Sequence, residues 1–170
     1  MRYRETTRDD VAAIERIARA SWEADYPDIL SRETAADEAV DEWYGSDAIE
    51  RELNAPGSIL LVAEADDGDD GPVAFAHAVV TGGEATILRL YVHPEARREG
   101  IGKELLGRTI REASDRAADR IRAMVLAEND LGDAFYRTAG FESVETGETV
   151  IGGERYEETT YELRDWDVEG

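Results

Sequence analysis

The chain has 170 residues, about one domain at the usual ~150 residues each. With 42% apolar residues it can bury roughly 70% of its unfolded surface without cross-links. Forty acids against 19 bases leave a net charge of −21, which excludes non-specific binding to nucleic acid or anionic membrane, and the absence of cysteine excludes disulfides, thiolate zinc sites and a cysteine nucleophile.

High net charge is a mark of disorder when apolar residues are sparse. Here they recur in regular patterns, so the chain is read as folded. Self-repulsion on this scale is best tolerated where salt shortens the screening length to about 3 Å at 1 M, and the composition predicts a salt-adapted, haloarchaeal-like cytoplasmic protein. The opening MRYRE is too charged for a signal peptide, and no apolar run approaches the ~20 residues of a membrane span. His77 and His93 are the only histidines and are too far apart for an HExxH helix, so no metal is expected.

In chain order, residues 1–5 form a short edge strand. Thr7 to Asp10 cap a helix that buries Val11, Ile14, Ile17 and Ala18, with Asp9 and Asp10 at the positive end of its dipole. Pro27 breaks it, and a second helical stretch covers about 33–53. Residues 58–65 (SILLVAEA) and 72–80 (PVAFAHAVV) make a hairpin across the acidic turn 66–71. That turn departs from a calcium loop, with Gly68 at one ligand position and His77 where glutamate is needed. Gly82-Gly83 turns into strand 84–92, with Leu88, Leu90 and Val92 expected on one face and Ile87, Arg89 and Tyr91 on the other. A helix from 101 buries Ile101, Leu105, Leu106, Ile110 and Ala113. Strand 121–127 and a short helix 129–139 follow, the helix stopped by Gly140. Strands 141–144 and 155–163 close the fold around a glycine-rich loop, with one domain expected over 1–164 and an acidic tail over 165–170. The order β-α-α-β-β-β-α-β-α-β-β is a mixed α/β layer.

The stretch that carries chemistry runs from Leu88 to Lys103 (LRLYVHPEARREGIGK). A strand ends in a turn and then in a glycine-punctuated helix start. Glycines leave amides open to close approach, and the helix N-terminus is partially positive, so the segment suits a pyrophosphate. It is neither a dinucleotide fingerprint, because Leu105 replaces the third glycine, nor a Walker loop, which would need glycine at Arg97 and Ser or Thr at Glu104.

Arg97-x-x-Gly100-x-Gly102 resembles the Arg/Gln-x-x-Gly-x-Gly/Ala loop of the GCN5-related N-acetyltransferase (GNAT) superfamily. Asn129, Phe135-Tyr136 and Ala139-Gly140-Phe141 resemble that family's last block, and residues 3–22 its first strand and helix. The resemblance implies an α/β fold with a mixed, mostly antiparallel sheet. It implies a V-shaped splay between two central parallel strands, 84–92 and 121–127, and helices on both faces.

It further implies acetyl-CoA as co-substrate. The backbone of Leu90, Tyr91 and Val92 would pair with the pantetheine arm, and the span Arg97, Arg98, Glu99, Gly100, Ile101, Gly102 and Lys103 would hold the pyrophosphate. Asn129 would contact the cofactor arm. Tyr136 would be the general acid, its phenol of pKa about 10 donating to the departing thiolate. An alkyl ammonium of pKa about 10.4 must lose a proton before attack. Met124 stands at one family base position and cannot serve; Glu84 on the preceding strand and Glu128 are the available carboxylates, of which Glu84 is the catalytic candidate, and a water relay is equally open. Direct attack in a ternary complex is the simpler scheme without a thiol nucleophile. The acceptor would be a small-molecule amine, a protein N-terminus or a lysine, met by residues 21–28 and 146–155. A homodimer would match many relatives. A non-catalytic acyl-CoA-sensing module is the rival reading. His93 is read as turn structure and His77 as a core or face residue.

Overall fold

A computed structural model describes residues 1–25, 46–65, 71–97, 99–126, 130–151 and 154–163. The elements are β1 (Arg2–Glu5), α1 (Val11–Asp25), α2 (Ser46–Asn54), β2 (Ser58–Glu64), β3 (Pro72–Thr81), β4 (Glu84–Val92), α3 (Ile101–Asp115), β5 (Arg120–Leu126), α4 (Asp130–Thr138), β6 (Phe141–Ile151) and β7 (Glu154–Leu163). This is the order read from the sequence. The acidic turn, the rest of the second helical stretch and the C-terminal tail lie outside the described residues.

The strands form one seven-stranded sheet in the order β1-β2-β3-β4-β5-β7-β6. Every neighbouring pair is antiparallel except β4–β5. The central strands read as apolar runs because both of their faces are covered. On one face Ile59, Leu61, Ala76 and Ile87 pack with Ile101, Leu105 and Leu106 of α3 and Tyr136 of α4. On the other, α1 lies against β3 and β4 and α2 against β2, with Ile14, Ile17, Leu60, Val62 and Phe75 buried. Ile110 of α3 is only partly buried, and Thr109 is buried because its hydroxyl donates to the Leu105 carbonyl at 2.8 Å. Among the described residues no helix is long and apolar enough to cross a membrane.

Two expectations about strands are corrected. Ala78 pairs with Ile87 and His77 with Arg89, so Leu88 is an extra, bulged residue in β4. The bulge reverses the alternation. Ile87, Leu90 and Val92 share the α3 face, and Arg89 and Tyr91 point the other way with His77 and Phe75. The last hairpin is also longer than read. β6 continues through Gly147 to Ile151, which pairs with Glu154, and the ladder is carried by Thr146, Thr149, Val150 and Ile151 on one strand and Tyr156, Thr159 and Thr160 on the other, residues that favour strands.

The free edge of the sheet is closed by charge. Arg4 donates to Asp10 at 2.8 and 2.9 Å and to Glu64 at 3.0 and 3.1 Å, and Arg2 Nε reaches Glu64 at 2.9 Å. The Arg4 and Arg2 hydrogen bonds lower the Glu64 carboxyl to about 2. Burial alone would raise Asp10, but Arg4 and the Thr7 amide bring it below its usual value. Asp10, expected at the helix dipole, is 3% exposed and closes a capping box with Thr7.

Candidate active site

The β4–β5 ladder runs from Glu84↔Arg120 to Ile87↔Ala123 and stops there. Both strands continue, β4 to Val92 and β5 to Leu126. Each stays paired on its outer side, through Ala74↔Val92 and Leu126↔Glu158. The sheet therefore parts in its middle, immediately after the point where Leu88 bulges. A bulge bends its strand and increases the local twist, which accounts for where the gap opens.

The turn at the gap's end is built by short local bonds. His93 Nδ1 accepts from the Glu95 amide at 3.2 Å, and the Ala96 amide donates to the His93 carbonyl at 2.8 Å. His93 is thus turn structure, as read. Arg97 Nε donates to the Val92 carbonyl at 3.2 Å, which ties the turn to the end of β4. Gly100 caps α3 at φ 79°, a left-handed conformation that favours glycine. The first backbone bond of the helix is Glu104 N–H to Gly100 C=O at 3.1 Å. The amides of Ile101, Gly102 and Lys103 therefore have no partner within the helix. At Gly102 a Cβ would stand 3.3 Å from the Phe135 ring and 3.5 Å from Val92, so glycine there allows α3 to seat against α4 and β4.

Leu90, Tyr91 and Val92 line the open edge of β4, while Leu90 and Val92 also rest on the core. Ile101 is buried, and Glu99, Gly100 and Lys103 are exposed. Arg98, Glu128 and Asn129 lie outside the described residues. Glu84 is not at the gap. It lies at the paired end of β4, about 13 Å of strand from Leu88, with Arg120 at 3.6 Å and Arg122 at 3.9 Å.

Tyr136 is 6% exposed. Its ring meets Phe135 and Phe141 edge-on at 5.1 and 5.2 Å and stacks on Tyr161 at 6.2 Å. Burial raises its phenol well above the ordinary value, with Tyr91 adding to the rise and Arg89 opposing it. The neighbouring phenol, Tyr161, donates to Asp133. Burial and that carboxylate push it up to about 12. The Tyr136 hydroxyl makes no such bond to a described residue, so among the described residues the two stacked phenols differ: Tyr161 is bonded to a carboxylate and Tyr136 is not.

Two polar residues at the gap were not singled out from the sequence. Arg89 belongs with Tyr91 on the face opposite Tyr136, an orientation set by the Leu88 bulge. Glu158 of β7 pairs across β5 with Leu126 and across β6 with Gly147. No spacing in the linear sequence marks it, since β7 carries four glutamates and only register tells them apart. His77 is 8% exposed with Glu52 at 3.2 Å; burial lowers its pKa and Glu52 partly restores it. It sits under α2, one strand in from Arg89, which also lowers its pKa. Among the described residues no group of three or more His, Cys, Asp or Glu is arranged to hold a metal.

A mostly antiparallel sheet that parts at its one parallel pair, with a glycine-capped helix at the opening, is the architecture of an acyl-CoA-dependent N-acetyltransferase. The acetyltransferase (GNAT) domain family matches residues 56–143, just over half of the chain, and the chain belongs to that family. It is 26% identical over 151 residues to a spermidine N(1)-acetyltransferase of Thermoplasma acidophilum, covering 88% of this chain and 93% of the relative. Its fold is similar to the crystal structure of the PaiA N-acetyltransferase of the same organism in complex with coenzyme A. That likeness has a TM-score of 0.78 at 25% identity and covers 92% and 96% of the two chains. The ribosomal-protein-S18-alanine N-acetyltransferase of Escherichia coli shares the fold at a TM-score of 0.70 and 18% identity, with 95% and 92% covered.

Proposed function

We propose that the protein transfers the acetyl group of acetyl-CoA to a primary amine by direct attack in a ternary complex. The single observation that carries this reading is the end of the β4–β5 ladder at Ile87 while β4 runs on to Val92, with the Tyr136 phenol bonded to no described residue. Residues 88–92 offer backbone groups at the spacing of a strand, so an extended amide-bearing arm can add to them as a strand would. The free amides of residues 101–103, the helix dipole and Lys103 suit a pyrophosphate. An amide of β4 pointing into the gap would polarise the acetyl carbonyl. Tyr136, still protonated at neutral pH, gives its proton to the departing thiolate. Holding amine and thioester in line supplies much of the acceleration.

A polyamine is the first acceptor class to try, supported by the spermidine acetyltransferase relative. A protein N-terminus or lysine is the second. The net charge of −21 supports work in concentrated salt inside the cytoplasm, and the same charge would concentrate a cationic acceptor near the surface.

The test is release of free thiol from acetyl-CoA on adding spermidine, simple diamines or peptides, in molar potassium chloride. Amine-dependent release supports the reading. Acetyl-CoA binding without release for any amine would make the protein a sensor, and no binding would remove the reading altogether.

A further inference from the structure

We propose that Glu158 receives the acceptor's ammonium group in the gap and takes its proton before attack; this rests on the acetyltransferase reading above. Residues directly opposite in a sheet project to the same face. Glu158, opposite Leu126, therefore lies on the face that carries Met124 and, across the gap, Arg89. Tyr161 pairs with Ala123 and stacks on Tyr136, so Tyr136 lies on the other face. The proton acceptor and the proton donor thus flank the parted strands from opposite sides. An amine arriving on the Glu158 face would then have its proton acceptor beside it, with the donor for the thiolate kept apart on the other face.

Glu158 is also set apart by what it lacks. Among the described residues, every other buried or half-buried carboxylate has a partner. Asp10 and Glu64 bind Arg4, Glu52 faces His77, Asp133 accepts from Tyr161, and Glu84 and Glu162 face Arg120. Three glutamates on helix surfaces pair with arginines one turn on. Glu158 has no hydrogen bond or ion pair to a described residue, although it is half-buried. Its cross-strand neighbour is Gly147, where an added Cβ would meet nothing within 4 Å. Among the described residues, nothing therefore crowds the Gly147 side of the carboxylate. Burial raises the Glu158 carboxyl above its ordinary value and Arg89 opposes this. Arg89 is the charged group facing it from β4. Leu126 and Gly147 across the ladder carry no charge, and Tyr156 and Thr160 flank it on its own strand.

R–NH3+ gives one proton to the Glu158 carboxylate and becomes R–NH2. The nitrogen lone pair forms the bond to the acetyl carbon, and the carbon–sulfur bond breaks toward the sulfur. The thiolate takes the Tyr136 proton, the acylated nitrogen loses its surplus proton to solvent, and the phenolate is reprotonated from solvent. The products are the amide and free thiol, and Glu158 releases its proton to solvent.

The experiment uses the full chain with acetyl-CoA and spermidine, measuring kcat/KM from pH 6 to 10. Glu158→Gln is expected to lose about 100-fold in kcat/KM for the amine near neutral pH. The deficit should shrink as rising pH supplies the free amine, with acetyl-CoA affinity unchanged. Gly147→Leu is expected to raise KM for the amine more than it lowers kcat. If the glutamine variant does not fold, Glu158→Asp should lower kcat/KM while keeping the wild-type pH profile. A glutamine variant within threefold of wild type with the same pH profile overturns the role of Glu158 and leaves the acetyltransferase reading standing. A wild-type protein that neither binds acetyl-CoA nor releases thiol overturns both.

Discussion

The β1–β2 edge and the β4–β5 gap hold polar groups on opposite terms. At the edge, Arg2, Arg4, Asp10 and Glu64 satisfy one another completely. At the gap, Tyr136 and Glu158 are buried or half-buried and bonded to no described residue. Burying an unpaired polar group costs free energy, and that cost is recovered where a ligand supplies the missing partner. In a chain with 40 acids, charge alone does not locate function; the degree to which each charge is satisfied does.

The contrast can be broken first at the edge. Glu64→Ala removes the acceptor that Arg2 and Arg4 share while Arg4 keeps Asp10, and loss of a charged hydrogen-bond partner costs about 2 kcal/mol, a fall of about 6 °C in Tm for a chain of this size. The kcat of the folded fraction should not change. The edge also has a pH signature. Glu64 is at about 2 when folded against 4.5 ordinarily, so its contribution is complete above pH 4.5 and is lost as pH falls toward 2. Thermal melts across that window should steepen in wild type and flatten in Glu64→Gln.

At the gap the expected effect is on rate rather than stability. Tyr136→Phe should lower kcat about 100-fold with Tm nearly unchanged, because the hydroxyl it removes is bonded to no described residue. A variant that loses stability and keeps its rate would place Tyr136 among packing residues. Gly102→Val should cost about 2 kcal/mol by crowding Phe135, and weaken acetyl-CoA binding as α3 shifts. Unaltered binding would separate the cradle from the packing of α3. The smallest effect belongs to Glu84→Gln, a partly exposed pair with Arg120 worth at most about 1 kcal/mol, with no change in kcat. A rate loss there would return Glu84 to the chemistry.

The element order, the turn at His93 and the glycine-capped start of α3 were legible because each rests on local signals of period, proline and glycine. The segment from Leu88 to Lys103 was legible for the same reason. The faces of β4 were not, because a single bulged residue inverts alternation without any mark in the residues themselves. The length of β6 was hidden by Gly147, which reads as a turn but sits in the ladder. Glu158 was hidden by its own abundance: Glu157 and Glu162 look the same in sequence, and only the pairing with Leu126 and Gly147 distinguishes it. Glu84 was drawn to the site by its strand, and it lies at the end of that strand still paired with β5.

Hydrogen–deuterium exchange with and without acetyl-CoA, in molar potassium chloride, tests the central claim most directly. Amides of residues 88–92 and 101–103 should exchange several-fold more slowly with ligand bound, while those of β1 and β2 keep their rates. Binding that leaves residues 88–92 unchanged, or that slows the β1–β2 edge instead, would contradict a ligand seated between β4 and β5.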